Sequence, residues 1–224
     1  MQNFPFDIVG FDLDGTLLDT HGDLGAAVNH ALSLAGRPNR PLGSMRALIG
    51  GGAKRMLERA LDEDGVALPE DEFKALYREL LGHYEANIAV HTQVFPGGEA
   101  MLDDLAERGV RLAVVTNKFE RFARLVLDQL GLTHRFYTVI GGDTLGPGKA
   151  KPAPDQLHEM IARGGGGRAA YVGDTTYDTL AAKAAGLPCV AVGFGFNDLP
   201  LAQLGADAAI DHFDELVCAL EALG

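Results

Sequence analysis

Six short runs rich in Val, Ile and aromatic residues alternate with apolar stripes of helical period, and this alternation restricts the fold of the chain more than any other feature. The runs are Phe6 to Phe11, Arg111 to Thr116, Tyr137 to Gly141, Ala169 to Gly173, Cys189 to Gly193 and the shorter Ala208 to Ile210. Between them Met101, Leu102 and Leu105 form one stripe, Phe122, Val126 and Leu130 a second, and Phe213, Leu216, Val217 and Leu220 a third. Strands separated by helices need crossover connections, so the pattern predicts an α/β fold, a Rossmann-like, mostly parallel sheet with helices on both faces. Sheets of this kind bind ligands beyond the C-terminal ends of their strands. Those ends are where chemistry is to be sought.

One region breaks the alternation. From about Leu24 to Ile88 the apolar spacing is helical throughout, first Leu24, Val28, Ala31, Leu32 and Ala35, then Met45 to Leu61, then Leu76, Leu80, Tyr84 and Ile88. The expected organisation is an α/β core domain of residues 1–19 and 91–224, interrupted after its first strand by an all-helical cap of residues 20–90. Hinges are expected near Asp19 to Gly22 and Val90 to Gly97. Gly164 to Gly167 reads as a connector, because a phosphate loop would continue into Gly-Lys-Ser/Thr opening a helix.

The 224 residues, 47% of them apolar, suffice for a real core. A net charge of −12 opposes binding to nucleic acid or anionic membranes. Cys189 and Cys218, both in apolar neighbourhoods and far from metal-ligand spacing, are expected to be reduced, buried thiols of a cytoplasmic protein. The N-terminus lacks a basic head followed by an apolar stretch, and no segment approaches membrane-spanning length. An anionic substrate would have to be met by local cations, backbone amides or a metal against the overall acidic field.

The first run ends in Asp12-Leu13-Asp14-Gly15-Thr16. Side chains two apart on an extended segment point the same way, so both carboxylates can face one pocket, and Gly15 allows a sharp turn after them. Like charges so close need a divalent cation or a proton between them. A calcium loop does not fit, since its sixth, fifth and twelfth places would be Leu17, Thr16 and Asp23. Helix capping by both aspartates is the bland alternative, disfavoured by the apolar run before them.

Other strand ends carry comparable groups. Thr116-Asn117-Lys118 closes the second run with a hydroxyl, an amide and free backbone N–H groups. Gly173-Asp174-Thr175-Thr176-Tyr177-Asp178 closes the fourth and opens a helix, where Asp174 alone would pass for an N-cap. Between them Lys149-Ala150-Lys151-Pro152-Ala153-Pro154 holds cations in a stiff, non-helical loop.

Taken in order, these four segments resemble the four motifs of the haloacid dehalogenase superfamily of phosphohydrolases, across nearly the whole chain. Asp12-Leu13-Asp14-Gly15-Thr16, the helical insert directly after it, Asp23-Leu24 opening that insert's first helix, and Lys151-Pro152-x-Pro154 are most similar to phosphoglycolate phosphatases. The resemblance implies a phosphatase acting on a small phosphomonoester, best matched by 2-phosphoglycolate, through an aspartyl-phosphate. Asp12 would be the nucleophile and Asp14 the general acid and base. Mg²⁺ would be held by Asp12, the backbone carbonyl of Asp14 and Asp174, with Asp178 binding a metal water or orienting its neighbours. Thr116 and the backbone amide of Asn117 would bind phosphoryl oxygens, and Lys151 would neutralise the transferring group, with Lys149 its rival for that part. Lys118 is expected on the solvated rim. Arg46, Lys54 and the Gly50 to Gly52 turn are weak candidates to meet a substrate carboxylate, and each reads more readily as helix-surface charge or turn. His21 and Gly22 depart from the Ala-Pro commoner at this hinge.

Other functions fit less well. A haloacid dehalogenase lacks the second aspartate, and a sugar phosphomutase carries a histidine where this chain has Leu24. A retired fold serving only as a binding module would have lost one of Asp12, Asp14, Lys151 or Asp174. A nucleotide, an amino-sugar phosphate or pyrophosphate remains an alternative substrate, and the expected assembly is a monomer or homodimer.

Overall fold

A computed structural model describes residues 4–49, 51–62 and 68–224, so Gly50 lies outside the described residues. The chain divides into two compact units, Met1–Asp19 with Val94–Gly224, and Thr20–Gln93.

The larger unit is built on a six-stranded sheet of β1 (Ile8–Phe11), β4 (Arg111–Val115), β5 (Thr138–Ile140), β6 (Ala169–Gly173), β7 (Cys189–Val192) and β8 (Ala208–Ile210). The order is β5-β4-β1-β6-β7-β8 and every pairing is parallel. β1, β4, β6 and β7 are buried along nearly their whole length, which is why they read as continuous apolar runs rather than alternating ones. On one face Ile8, Ala113, Val115, Tyr171 and Cys189 pack with Leu157 and Met160 of α6 (Asp155–Arg163) and Ala181 and Ala182 of α7 (Thr176–Ala185). α4 (Gly98–Glu107) and α8 (Leu216–Leu223) pack on each other and on strands β4, β7 and β8, while α5 (Glu120–Gln129) packs on β5. The α/β fold with a mostly parallel sheet expected from the sequence is present.

Register decides where the site forms. Phe11 of β1 pairs with Val114 on one side and Val172 on the other. The residues just past the ends of these three adjacent strands are Asp12, Thr116 and Asp174. The chain leaves β1 toward β4 and β5 on one side, then crosses back to β6 on the other. The sheet order therefore reverses beside β1, the topological position at which such sheets bind ligands.

The smaller unit contains α1 (His21–Leu34), a 3-10 turn (Leu42–Leu48), α2 (Ala53–Asp62) and α3 (Glu70–Ala86). α1 packs on α3 and on the 3-10 turn. The apolar spacing from Met45 to Leu61 belongs to two elements rather than one helix, separated by Gly51 and Gly52, both at positive φ. Asp23, in the first turn of α1, is buried and accepts hydrogen bonds from the backbone N–H groups of His91 and Thr92 and from the Thr92 hydroxyl at 2.7–3.0 Å. It thereby ties the outgoing and returning ends of the insert to each other.

The expectation of two buried thiols is corrected in part. Cys189 is buried in β7, but Cys218 is exposed. Leu216, Val217 and Leu220 form the buried stripe of α8, and position 218 falls on the other side of that helix. Among the described residues no helix is long and apolar enough to cross a membrane.

Candidate active site

Asp12 leaves β1 with its N–H donated to Val172 O at 2.9 Å, so the sheet ladder itself fixes the first carboxylate. The next residues form a closed turn in which Gly15 N–H donates to Leu18 O and Leu18 N–H to Leu13 O. Gly15 sits at φ +85°, and a Cβ there would come within 2.3 Å of Asp174 Oδ2 and 2.7 Å of the Phe196 ring. Only glycine can fill this position without displacing Asp174 or Phe196, because both the backbone region and the space exclude a side chain. The turn brings the Thr16 hydroxyl to Asp174 Oδ1 at 3.0 Å. The Phe196 N–H donates to Asp174 Oδ2 at 2.7 Å, and the Asn197 amide donates to Asp174 O.

Lys151 is the most deeply buried cation of the site. Four oxygens surround its Nζ, those of Asp178 Oδ1 at 2.6 Å, Tyr171 OH at 2.8 Å, Asp12 Oδ1 at 3.0 Å and Val115 O at 3.2 Å. An ammonium has three protons. Asp12 Oδ1 is accordingly in charge contact with Lys151 but receives no hydrogen bond of good geometry, and it is buried. Lys149, by contrast, is exposed and pairs with Asp155 at the start of α6. The Lys151–Pro152 peptide is cis.

Burial pushes the Asp12 carboxyl up to about 6; Lys151 opposes this, and the nearby carboxylates of Asp178 and Asp14 add to it. Burial also holds Asp174 well above the usual carboxylate range, with Asp178 and Asp12 reinforcing it and the Phe196 N–H and Thr16 hydroxyl opposing. For Lys151 burial acts downward, but the two flanking carboxylates outweigh it and raise the ammonium above its ordinary value.

Asp178 spends both oxygens inside the protein. Oδ1 accepts from Lys151, with the Tyr171 hydroxyl oxygen 3.3 Å away, and Oδ2 accepts from the N–H and hydroxyl of Thr175, closing a capping box on α7. Thr116 Oγ1 accepts from the Lys118 N–H at 3.2 Å, which leaves the hydroxyl proton to donate. The Asn117 side-chain amide donates to Lys151 O at 2.9 Å.

The sequence-predicted residues Asp12, Thr116, Asn117, Lys151, Asp174 and Asp178 thus lie in one network, with Asp14 at its more open side. Arg46 and Lys54 belong to the other compact unit, and Lys54 is a surface residue paired with Glu58 along its own helix. Lys118 requires a correction. Instead of standing on a solvated rim it is buried, with Nζ donating to both Asp14 oxygens at 2.8 and 2.9 Å. The reason is electrostatic, since Asp14 offers a partly buried anion and the long apolar stem of the lysine is covered on the way.

Other members carried no motif. Gln156, buried in α6, donates to Thr116 O and Gly141 O and accepts from Lys151 N–H, tying the lysine loop to two strand ends. Tyr171 lies within β6 and donates to Val115 O at 2.6 Å. The Gly193 to Asn197 loop follows β7, and the rule that located the other strand ends points to it as well.

The donor set suits a hard divalent cation. Carboxylate oxygens of Asp12, Asp174 and Asp178 lie within 4.8 Å of one another. Four carboxylates, those of Asp12, Asp14, Asp174 and Asp178, face two ammoniums, and one buried Asp12 oxygen accepts no hydrogen bond. A divalent ion would balance that charge with oxygen ligands only.

The model for haloacid dehalogenase-like hydrolases matches residues 6–186. The phosphoglycolate phosphatase of Agrobacterium fabrum is 39% identical over 214 residues, covering 94% of this chain and 90% of its own. That of Caulobacter vibrioides is 39% identical over 207 residues, covering 92% and 86%. The crystal structure of a "predicted phosphoglycolate phosphatase" from Haemophilus somnus superposes with a TM-score of 0.87 at 31% identity, covering 96% of this chain and 97% of the other. With three adjacent strand ends carrying the acidic and hydroxyl groups and a buried lysine among them, the chain belongs to the haloacid dehalogenase-like hydrolase family.

Proposed function

We propose that this phosphoric monoester hydrolase acts on 2-phosphoglycolate, releasing glycolate and phosphate through a phosphorylated Asp12, with Mg²⁺ as its cofactor. The observation that carries the mechanism is Asp12 Oδ1, buried, held against the Lys151 ammonium at 3.0 Å and meeting no other donor, an oxygen that faces a cation without being tied up by backbone or hydroxyl groups. The substrate reading is supported by the names of the relatives at 39% identity.

In the first step a carboxylate oxygen of Asp12 attacks phosphorus, the bond to the leaving oxygen breaks, and Asp14 gives that oxygen a proton. In the second, water attacks phosphorus, Asp14 takes a proton from it, and the bond to Asp12 breaks to release phosphate. The Thr116 hydroxyl and the Asn117 backbone amide hold non-transferring oxygens, and Lys151 balances the charge that gathers on them in the transition state. Asp178, Tyr171 and Gln156 fix the ammonium and the loop that carries it. Asp12, Asp174 and the Asp14 carbonyl would hold Mg²⁺, which would supply charge neutralisation for the phosphoryl group. The same reading assigns residues 1–19 and 91–224 to the catalytic core and residues 20–90 to a cap domain.

Phosphate release with Mg²⁺ from a panel of 2-phosphoglycolate, nucleoside monophosphates, pyrophosphate, sugar phosphates and an aryl phosphate tests this. The highest kcat/KM is expected on 2-phosphoglycolate. Preference for another member would discard the substrate and keep the chemistry, and release from none would discard both.

A further inference from the structure

Two buried lysines reach the site, and the proposed chemistry uses one of them. Lys151 is enclosed by four oxygens and its ammonium is fixed among Asp12, Asp178, Tyr171 and a backbone carbonyl. Lys118 stands on the other aspartate. Its Nζ contacts both oxygens of Asp14, and with side-chain exposures of 5% and 17% this pair is the more open of the two ion-pair systems, since Lys151 and Asp178 expose 1% and 0%. Lysine is seldom buried without a task for its charge.

The position of Lys118 follows from the part given to Asp14. A general acid must come within hydrogen-bond reach of the leaving oxygen. Lys118 Nζ is 2.8–2.9 Å from both oxygens of that acid, so a leaving oxygen bonded to Asp14 would lie within two hydrogen-bond lengths of the ammonium. In 2-phosphoglycolate the carboxyl carbon is two bonds from that same oxygen. We infer that Lys118 is the specificity residue that receives the carboxylate of the leaving group, sharing its three donors between that carboxylate and Asp14. This inference rests on the substrate reading above and assigns its negative tail to a residue of the same compact unit as the nucleophile.

An acidic site calls for a cation to meet the carboxylate of the leaving group. The substrate brings a carboxylate into a pocket already lined by Asp12, Asp14, Asp174 and Asp178, and an uncompensated like charge there would be rejected. Arg46 and Lys54, the cations singled out from the sequence for this task, belong to the helical unit, and Lys54 is occupied by a surface pair with Glu58.

The test compares kcat/KM on 2-phosphoglycolate and on 2-hydroxyethyl phosphate, which replaces the carboxylate by a neutral hydroxymethyl group, in the wild type, Lys118→Met and Lys118→Gln. Both variants remove the charge, and glutamine keeps a donor for Asp14. Each is expected to lose about 30-fold or more on 2-phosphoglycolate beyond its loss on 2-hydroxyethyl phosphate, chiefly through KM, as expected when one partner of a buried charge pair is removed. Inhibition by free glycolate should weaken in parallel. Turnover of an aryl phosphate verifies that each variant is folded, and Lys118→Gln carries the comparison should Lys118→Met not fold. Equal losses on the two substrates, in variants of an enzyme that prefers 2-phosphoglycolate, would reduce Lys118 to a positioning residue for Asp14 and overturn the inference. A wild type indifferent to the carboxylate would overturn the substrate reading itself.

Discussion

Lys151 donates to Asp178 Oδ1 at 2.6 Å with both side chains almost wholly withdrawn from solvent, and this bond holds the ammonium where it also meets Asp12. Breaking a buried pair by removing one charge typically costs about 3–5 kcal/mol, because the remaining charge is left uncompensated. Asp178→Asn is therefore expected to lower stability by about 3 kcal/mol in denaturant titration. It should reduce kcat more than it raises KM, since the loosened lysine matters most when charge gathers on phosphorus. A variant as stable as the wild type would contradict the role given to this pair.

Asp12→Asn should abolish turnover, and it should stabilise the metal-free protein at alkaline pH. The sign follows from the direction of the shift. Burial raises the folded-state value to about 6, above the ordinary 3.8, so ionisation of Asp12 opposes folding. The favourable contribution of the protonated form is complete below the unfolded value and is lost as pH rises through 6. At pH 8 a neutral asparagine removes a penalty of about 3 kcal/mol, and the advantage should vanish near pH 4. Thermal melts with EDTA at the two pH values check this. Equal melting temperatures at pH 8 would mean that the carboxylate is not under this strain. Saturating Mg²⁺ should close the gap by stabilising only the wild type.

The leaving group reports on Asp14. Protonation of an alkoxide matters most when the departing oxygen is strongly basic, so Asp14→Asn should lose roughly 10²-fold or more on an alkyl phosphate. Losses on an aryl phosphate, whose phenolate departs without help, should be smaller by at least about tenfold. A parallel loss on both substrates would remove the acid role.

How far the sequence could be read depended on where the physical signal was stored. Strands buried on both faces leave continuous apolar runs, and the polar residue after each run marks its end, so Asp12, Thr116 and Asp174 were legible together with the sheet that aligns them. β2 (Leu18–Asp19) and β3 (Gln93–Val94) are two residues long and leave no such run. Lys118 reads as a surface residue because lysine is ordinarily exposed, and only its carboxylate partner, 104 positions away, draws it inward. Tyr171 resembles any other apolar strand residue, and its hydroxyl acquires meaning only when β6 lies beside β1. The exposure of Cys218 is legible in the sequence, since the helical spacing of Leu216, Val217 and Leu220 places position 218 off the buried stripe.

Gly15 joins the turn after the nucleophile to the far side of the acidic cluster, and its substitution separates metal retention from folding. At φ +85° an alanine is strained by roughly 1–2 kcal/mol. Its methyl would also meet Asp174 Oδ2 at 2.3 Å, and that oxygen is held by the Phe196 N–H. Relief requires Asp174 or the 193–197 loop to move, either of which displaces a carboxylate expected to hold Mg²⁺. Gly15→Ala is therefore expected to weaken Mg²⁺ binding by about tenfold or more, the range found when groups that orient metal ligands are disturbed. Calorimetric titration of Mg²⁺ into the wild type and the variant measures this without reference to turnover. Gly36, at φ +68° with open space around it, supplies the control for strain alone. Gly36→Ala should cost comparable stability and leave Mg²⁺ affinity unchanged, whereas an equal loss of affinity in both variants would trace the effect to general destabilisation and not to Asp174.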